Sequence, residues 1–160
     1  MKKIAIIKLS AMGDIIHSMV ALEFLKRAYP NLKIHWFVEE AFSKVLENNP
    51  NIDKIINLNL KSIKKSKKNI FSQISFIKSF KKEKYDLIID AQGLIKSALV
   101  ARILGKNIVG FSKNSTREGL SSIFYRKKIS IEYDKNVIDR NCYLISNALN
   151  FNISKDDILN

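Results

Sequence analysis

Short polar segments with small residues contain the side chains of this 160-residue chain that could do chemistry. The first is Ser10-Ala-Met-Gly-Asp14, directly after an apolar run. Gly13 would allow a close approach to the backbone or an unusual φ, and the carboxylate of Asp14 could act as a general base. Alternatively, Asp14 only caps the following helix, a position at which Asp is common. His17 lies one helical turn further, on the same face.

A second polar segment, Asp90-Ala-Gln-Gly-Leu-Ile-Lys-Ser97, follows another apolar run. It would place the side chain of Gln92, the backbone of Gly93 and the first N–H groups of a helix beside a ligand, because helix N-termini bind anions. A capped turn that binds nothing is the alternative interpretation.

Two arginines could bind an acidic group. Arg117 lies in Ser115-Thr-Arg-Glu118, and its guanidinium could form paired hydrogen bonds with a phosphate or a carboxylate, together with Arg140 of the last helix. Equally, Arg117 could pair with Glu118 or Asp139 at the surface, which would contribute little to stability.

Lysines are concentrated between Lys61 and Lys84, where nine lysines accompany a single acid, Glu83. One interpretation is a solvated loop followed by a solvated helix face. The other is that Lys61, Lys64 and Lys65 raise the positive potential over the mouth of a ligand cleft.

The whole chain has a net charge of +13, which attracts nucleic acid, acidic lipid head groups or phosphorylated sugars. Cys142 is the single cysteine and His17 and His35 are the only histidines, so we expect no disulfide, no metal site and no metal cofactor. A single cysteine also fits a cytoplasmic location. Lys8 interrupts the N-terminal apolar run too early for a signal peptide, and no apolar stretch is long enough to span a bilayer.

Alternating apolar and amphipathic segments predict a repeat of strands and helices. Strands are predicted at Ile4–Ile7, Lys33–Val38, Lys54–Leu58, Asp86–Asp90 and Ile108–Phe111, with a further one possible at Lys128–Ile131. Helices are predicted at Ile15–Tyr29, Glu40–Asn48, Ile70–Phe80, Leu94–Leu104 and Asn136–Leu149. Lys61–Lys68 is predicted to be an exposed loop, and residues 151–160 a polar tail without a closing element.

Strand–helix alternation repeated five times predicts an α/β domain with a Rossmann-like, doubly wound parallel sheet. Ligands of such sheets bind beyond the carboxyl ends of the strands. The segments after the first, third and fourth strands would therefore meet at one edge: Ser10–Asp14, Lys61–Lys68 and Ala91–Lys96.

Four segments, taken together and in order, resemble the lipopolysaccharide heptosyltransferases, and among these the heptosyltransferases I. They are KLSAMGDIIHSMVAL at 8–22, WFVEE at 36–40, YDLIIDAQGLIKSAL at 85–99 and STREGLSSIFYRKKI at 115–129. Each segment alone is weak, but the combination is specific and extends from residue 1 to about residue 150.

The resemblance implies a GT-B glycosyltransferase fold, in which two Rossmann-like domains face each other across a cleft and this chain is the N-terminal one. Such an enzyme transfers a heptose from ADP-heptose to the Kdo of Kdo-lipid A, with inversion and without a metal or other cofactor. Asp14 would be the catalytic base. The expected substrate-binding residues are Ser10, Ala11, Gly13, Lys61, Lys64, Lys65, Gln92, Gly93, Arg117 and Arg140.

Two departures from the family affect these expectations. Asn136 stands where family members often have a histidine, so no role is assigned to it. Because the family's chains are about twice as long, we expect residues 1–150 to be the acceptor-binding domain and 151–160 the start of a linker to a donor-binding domain. We expect this chain alone to bind acceptor without transferring sugar, and to lie at the inner face of the inner membrane.

A basic nucleic-acid-binding module is the alternative from another functional class, because the net charge would permit it. Against it, the sequence has no helix-turn-helix, RNP or zinc motif, and its lysines are not interleaved with aromatics. We therefore expect no nucleic-acid partner. A solitary Rossmann domain that serves only as a partner subunit is a third possibility.

Overall fold

The computed structural model describes residues 1–159, without the side chains of Lys155 and Leu159. Its strands are β1 (Lys3–Ile7), β2 (Lys33–Glu39), β3 (Lys54–Leu58), β4 (Leu87–Asp90), β5 (Ile108–Phe111) and β6 (Lys127–Ile129). They form one sheet in the order β3-β2-β1-β4-β5-β6, and all neighbouring strands are parallel. This is the strand order of the Rossmann fold, so the predicted Rossmann-like sheet is confirmed.

Helices cover both faces of the sheet, which is why its strands are continuous apolar runs. The helices are α1 (Met12–Ala28), α2 (Lys67–Ser79), α3 (Ile95–Leu104), α4 (Val137–Leu149) and α5 (Lys155–Leu159). Short 3₁₀ segments lie at Glu40–Leu46, Leu60–Lys64, Phe80–Glu83, Lys113–Ser115 and Gly119–Phe124. Helices α1 and α4 enclose one apolar cluster, while α2, α3 and the region around Gly119–Phe124 enclose the other. None of the helices within residues 1–159 is long and apolar enough to cross a membrane.

Helix α1 begins three residues earlier than the sequence predicts. Met12 is its first residue and Ala11 its N-cap, without a side-chain cap, so Asp14 is the third helical residue and the cap interpretation is wrong. The buried face includes Ile15, Leu22 and Leu25, whereas Ile16 is exposed. The earlier start makes Asp14 part of a rigid helix and leaves its side chain free of the capping role.

The basic segment at 61–68 is exposed, as predicted, but it is not a loop. The side chain of Asn59 accepts a hydrogen bond from the N–H of Ser62 at the start of the Leu60–Lys64 segment. Ser66 caps α2 by accepting from the N–H of Lys68. Local capping therefore makes this polar segment helical although it lacks apolar periodicity.

The C-terminal tail also carries an element that the sequence did not predict. Residues Lys155–Leu159 form α5, and Ser154 and Asp157 exchange hydrogen bonds at its start. Phe151, Ile153 and Ile158 pack against the apolar cluster beneath α1 and α4. These apolar contacts stabilise the tail against the rest of the domain. Asn160 lies outside the described residues.

The turn after β4 is built around the buried carboxylate of Asp90. It accepts hydrogen bonds from the backbone N–H groups of Gln92 and Gly93 at 3.0 and 3.1 Å, and from the hydroxyls of Ser97 and Tyr125 at 3.0 and 2.5 Å. Burial raises the pKa of Asp90, and the four donors oppose that rise by stabilising the charged form. These bonds fix the turn between β4 and α3.

Gly93 can adopt the shape of this turn because it has no side chain. Its φ is +71°, and a Cβ atom there would lie 2.3 Å from the hydroxyl oxygen of Thr116. That hydroxyl donates to the carbonyl of Gly93 at 2.7 Å. The Thr116 loop is therefore fastened directly to the turn after β4.

We expect Tyr125→Phe to lower the free energy of unfolding by about 1–3 kcal/mol, because a buried carboxylate loses one of its donors. Urea denaturation followed by the fluorescence of Trp36, the single tryptophan, would measure the change. Tyr143→Phe, on the half-exposed ring of α4, is the matched control and should change stability little. Equal stability of the two variants would mean that the Tyr125 hydroxyl does not support the turn.

Candidate functional site

The candidate site lies at the centre of the sheet, beyond the carboxyl ends of β1 and β4. Strand order reverses between these two neighbours, and Rossmann-like sheets bind ligands at this point. A cavity of about 440 Å³ opens there. Its walls are formed by Lys8, Ser10, Ala11, Asp14, Ala91, Gln92, Leu94, Phe111, Thr116, Arg117, Tyr133, Lys135, Val137, Arg140 and Asn141.

Asp14 brings a carboxylate to this cavity from the first turn of α1. Its side chain is half-buried, and within residues 1–159 no hydrogen bond or ion pair occupies its oxygens. Its backbone carbonyl, by contrast, accepts from the hydroxyl of Ser18 at 2.6 Å. The carboxylate is therefore available to a ligand.

Lys8 is a cavity residue that the sequence reasoning did not select. Its amine is buried and donates to the carbonyl of Ala91 at 3.2 Å. Burial lowers the pKa of this amine, the nearby carboxylates of Asp14 and Asp90 oppose the decrease, and Arg140 adds to it. The available signal was a lysine at the carboxyl end of an apolar strand, directly before the polar turn.

Arg140 approaches the cavity from α4 in a fixed position. Its guanidinium stacks over the rings of Phe111 and Tyr133, at 4.8 and 5.1 Å from their centres. It donates to the carbonyls of Glu132, at 2.8 Å, and Ser115. Burial lowers its pKa. Arg140 therefore holds two loops together while its charge lies at the cavity wall.

Arg117 lines the same cavity but is exposed, and it forms no ion pair within residues 1–159. The surface pairing with Glu118 or Asp139 is therefore absent from the described chain. Glu118 instead accepts a hydrogen bond from the N–H of Ile95 at the start of α3, at 2.8 Å. The guanidinium of Arg117 is left free for an anion.

The turn after β1 presents small residues to the cavity. Ser10 and Ala11 line it, and the peptide bond between them is cis. A Cβ atom at Gly13 would contact nothing within 4 Å, and the φ of Gly13 is not positive. Packing inside the chain thus gives no reason for this glycine.

His17, predicted on the same helix face as Asp14, is exposed and is not among the cavity residues.

Gln92 joins the two turns that form the cavity floor. Its side-chain oxygen accepts from the N–H groups of Leu9 and Ser10 at 3.0 and 3.1 Å. Gln92 itself lines the cavity, whereas Gly93 is buried behind it. The predicted meeting of these turns is thus present, and Gln92 holds it in place.

Asn136 caps α4 by accepting from the N–H of Ile138.

The structure does not place the lysines after β3 in this cavity. Lys61, Lys64 and Lys65 follow an edge strand, two strands away from β1, and none of them lines the cavity. The amine of Lys61 lies over the ring of Phe42, 5.5 Å from its centre. The predicted single rim is therefore divided: Asp14 and Gln92 share a cavity, and these lysines lie to one side of it.

Glu39, at the end of β2, lies between these two regions. Its side chain is buried, and burial raises its pKa against the opposing charges of Lys96 and Lys61 and the N–H of Leu60. Its Oε1 is the one buried side-chain oxygen or nitrogen in the described chain without a hydrogen-bond partner. It does not line the 440 Å³ cavity, so it is not assigned to the site.

A larger hollow of about 820 Å³ lies beside α4 and the C-terminal segment. Its walls include the apolar side chains of Ile131, Ile153 and Ile158, and the thiol of Cys142. Burial raises the pKa of this thiol to about 11, so it is protonated and unreactive at neutral pH. The smaller cavity is the better candidate because it combines a free carboxylate with four cationic side chains.

The cavity residues are suited to binding an anionic, hydroxyl-bearing molecule. Lys8, Arg117, Lys135 and Arg140 supply positive charge around the single carboxylate of Asp14. The cations can neutralise a ligand's acidic groups, while the carboxylate can remove a proton from a hydroxyl. No group of three or more His, Cys, Asp or Glu side chains within the described chain is arranged to hold a metal ion.

Comparison with solved structures supports the same fold. The Escherichia coli heptosyltransferase WaaC with ADP-2-deoxy-2-fluoro heptose superimposes with a TM-score of 0.89 at 29% identity, over 96% of this chain and 50% of that one. The structure of E. coli ADP-heptose lps heptosyltransferase II, at 19% identity and a TM-score of 0.71, shares the fold alone. The predicted class, one Rossmann-like domain of a GT-B glycosyltransferase, is confirmed.

Sequence comparison gives the family. Lipopolysaccharide heptosyltransferase 1 of Campylobacter coli is 45% identical over 148 residues, which are 92% of this chain and 42% of that protein. The enzyme of the same name from Pseudomonas aeruginosa is 33% identical over 156 residues, which are 93% of this chain and 43% of that protein. The chain thus spans less than half the length of these relatives. Residues 73–158 match the sequence pattern of glycosyltransferase family 9, and the chain belongs to this heptosyltransferase family.

Proposed function

We propose that this chain is the acceptor-binding half of an enzyme that transfers a heptose from ADP-heptose to the Kdo of Kdo-lipid A, in the lipopolysaccharide inner core. The names of the similar proteins support heptose transfer to lipopolysaccharide. The similar structure with a bound ADP-heptose analogue supports a nucleotide-sugar donor. One observation carries the proposal: the free carboxylate of Asp14 faces a cationic cavity at the centre of the sheet.

In the proposed reaction, an acceptor hydroxyl attacks the anomeric carbon of the heptose as Asp14 takes the hydroxyl proton. A new glycosidic bond forms, the bond from the anomeric carbon to the ADP oxygen breaks, and ADP leaves from the opposite face, which inverts the configuration. The transition state resembles an oxocarbenium ion. A positioned general base contributes roughly 10²–10⁴-fold to such a step. The proposal assigns no metal or other cofactor to the reaction.

The cationic side chains would orient the acceptor. Lys8, Arg117 and Arg140 surround the cavity, and a carboxylate such as that of Kdo can bind an arginine through two parallel hydrogen bonds. Open space at Gly13 would let the sugar approach the first turn of α1. We propose that Ser10, Ala11 and Gln92 contact the sugar, and that Gly93 shapes the turn behind them.

We propose a second, outer role for the lysines after β3. A lipid acceptor carries phosphates beyond its first sugar, and Lys61, Lys64 and Lys65 are exposed beside the cavity rather than within it. They would attract those phosphates through their positive potential, with less specificity than a direct contact inside the cavity.

The proposal divides the work between two domains. This chain would hold the acceptor, and a donor-binding domain would close the cleft from the other side, so that this chain alone binds acceptor without transferring sugar. Residues 151–160 would begin the connection between the domains. Because the acceptor is a membrane lipid, the enzyme would work in the cytoplasm at the inner face of the inner membrane.

Nucleic-acid binding is the competing function. The net charge of +13 favours it, whereas the carboxylate in the cavity does not, because it would repel phosphates. A filter-binding assay with generic duplex and single-stranded DNA would separate the two functions. Tight, steeply salt-dependent binding there, without binding to a Kdo-lipid A analogue, would favour nucleic acid.

We expect Asp14→Asn, made in a full-length enzyme, to reduce kcat by roughly 10²–10⁴-fold, because the amide cannot accept the proton. Its circular dichroism spectrum should be unchanged. Glu23→Gln is the matched control, since Glu23 lies on the same helix but pairs with Arg27 at the surface. Full activity of Asp14→Asn would remove Asp14 from the mechanism.

We expect Arg117→Gln to raise the acceptor KM of the full-length enzyme roughly ten-fold or more, because charged hydrogen bonds contribute about 1.5–3 kcal/mol. The double change Lys64→Gln and Lys65→Gln should have a smaller effect that disappears at high salt, because exposed charges are screened. Initial rates at several acceptor concentrations would measure both. A larger effect from the lysines would place the acceptor outside the cavity.

A further inference from the structure

Six exposed apolar side chains lie on neighbouring elements at one side of the molecule. Helix α2 carries Phe71 and Phe76, and the short 3₁₀ segment Gly119–Phe124 carries Leu120 and Ile123. Three of these side chains are exposed by 64–74%. Helix α3, between these elements, exposes Ile95 and Leu99. Exposed apolar groups on neighbouring elements mark an interaction surface more often than scattered ones do.

These three elements form one continuous surface, here called the α2–α3 face. Helix α3 packs against α2 on one side and against Gly119–Phe124 on the other. The inner sides of both helices, through Ile77 of α2 and Ala98 of α3, cover the same apolar cluster beneath the sheet, and Phe124 packs against it. Their outer sides therefore point to the same side of the domain.

The charge of the α2–α3 face is mainly positive, with the acid Glu118 at its border beside Ile95. Within its three elements are five cationic side chains and no acidic one; the cations are Lys67, Lys68, Lys78, Lys96 and Arg102. Helices α1 and α4, on the opposite side of the sheet, carry three acids and three such cations. An excess of cations over acids beside exposed apolar groups is thus found on this face and not on α1 and α4.

The candidate cavity opens at the border of this face. Leu94 lines the cavity, and the next residue, Ile95, is the first exposed apolar residue of α3. Arg117 lines it from the other loop, three residues before the exposed Leu120. A molecule anchored in a surface that contacts the α2–α3 face could therefore enter the cavity from the edge of that face.

We infer that the α2–α3 face docks on a bilayer containing anionic lipids. Apolar side chains that enter the head-group region are stabilised there, and lysines beside them are attracted to anionic lipids. Four of the six exposed apolar side chains, those of Ile95, Leu99, Leu120 and Ile123, are aliphatic and offer no stacking surface to nucleic-acid bases; Phe71 and Phe76 are the two aromatic ones. A two-fold dimer through this face would place like charges against each other.

This inference extends the proposed function, from which it takes only the lipid nature of the acceptor. Docking would bring the cavity edge to the membrane surface, where the sugar of a lipid-linked acceptor is found. Vesicle binding needs neither donor nor acceptor sugar, so the two proposals can fail separately. An enzyme that transfers no heptose leaves the vesicle result unchanged, and failed docking with normal transfer removes this surface alone.

Vesicle co-sedimentation of the 160-residue chain tests the inference. The probes are vesicles of phosphatidylcholine alone and of phosphatidylcholine with phosphatidylglycerol in equal proportion. We expect binding to the anionic vesicles only. The triple variant Phe71→Ser, Leu120→Ser and Ile123→Ser should reduce the partition coefficient about ten-fold or more, and Lys67→Gln with Lys68→Gln should reduce it about thirty-fold.

Matched control variants replace exposed apolar and exposed charged residues on the other side of the sheet. Ile16→Ser with Tyr143→Ser removes exposed apolar groups from α1 and α4. Arg27→Gln with Lys44→Gln removes exposed charges there. Both should bind vesicles like the unchanged chain, and circular dichroism should show all variants folded.

Three results would overturn the inference. The first is equal binding to both kinds of vesicle, and the second is equal loss from the face and control variants. The third is a dimer, seen by light scattering, that the triple variant separates into monomers. That result would assign the apolar groups to a second copy of the chain.

Discussion

The buried carboxylate of Asp90 is the constraint on which the site depends. A buried carboxyl group is tolerated only when hydrogen-bond partners surround it, and here four donors come from the turn after β4, from α3 and from Tyr125. These hydrogen bonds fix the turn that carries Gln92. The oxygen of Gln92 in turn fixes the turn after β1, so the position of Asp14 follows from a carboxyl group buried on another strand.

The site itself shows how the fold separates two kinds of carboxylate. Asp90 is enclosed by donors and serves the architecture, whereas Asp14 has free oxygens at the cavity and is available for chemistry. The cations around Asp14 differ in the same way. Arg140 is stacked and hydrogen-bonded to two loops, Lys8 is buried beneath the cavity, and Arg117 remains exposed. The fixed cations can set the electrostatic field at the cavity. The exposed side chain of Arg117 can change its conformation to contact a bound ligand.

The sequence predicted the sheet and the meeting of the turns after β1 and β4 at one of its edges, because apolar periodicity and turn chemistry are local signals. It left a helix cap as one interpretation of Asp14, and it could not show that the lysines after β3 follow an edge strand, since strand order is a tertiary property. Lys8 was missed because it directly follows a buried strand, where the local pattern does not show that its amine lies at the cavity. The α2–α3 face also escaped prediction, since exposure of Leu120 and Ile123 depends on how their 3₁₀ segment packs.

A crystal structure of the chain with a soluble Kdo glycoside would test the central claim most directly. The account predicts the sugar in the 440 Å³ cavity, with one hydroxyl within about 3.2 Å of the Asp14 carboxylate and its own carboxylate on Arg117. A sugar bound instead in the hollow beside Cys142, or in the cavity with its hydroxyls turned away from Asp14, would contradict it.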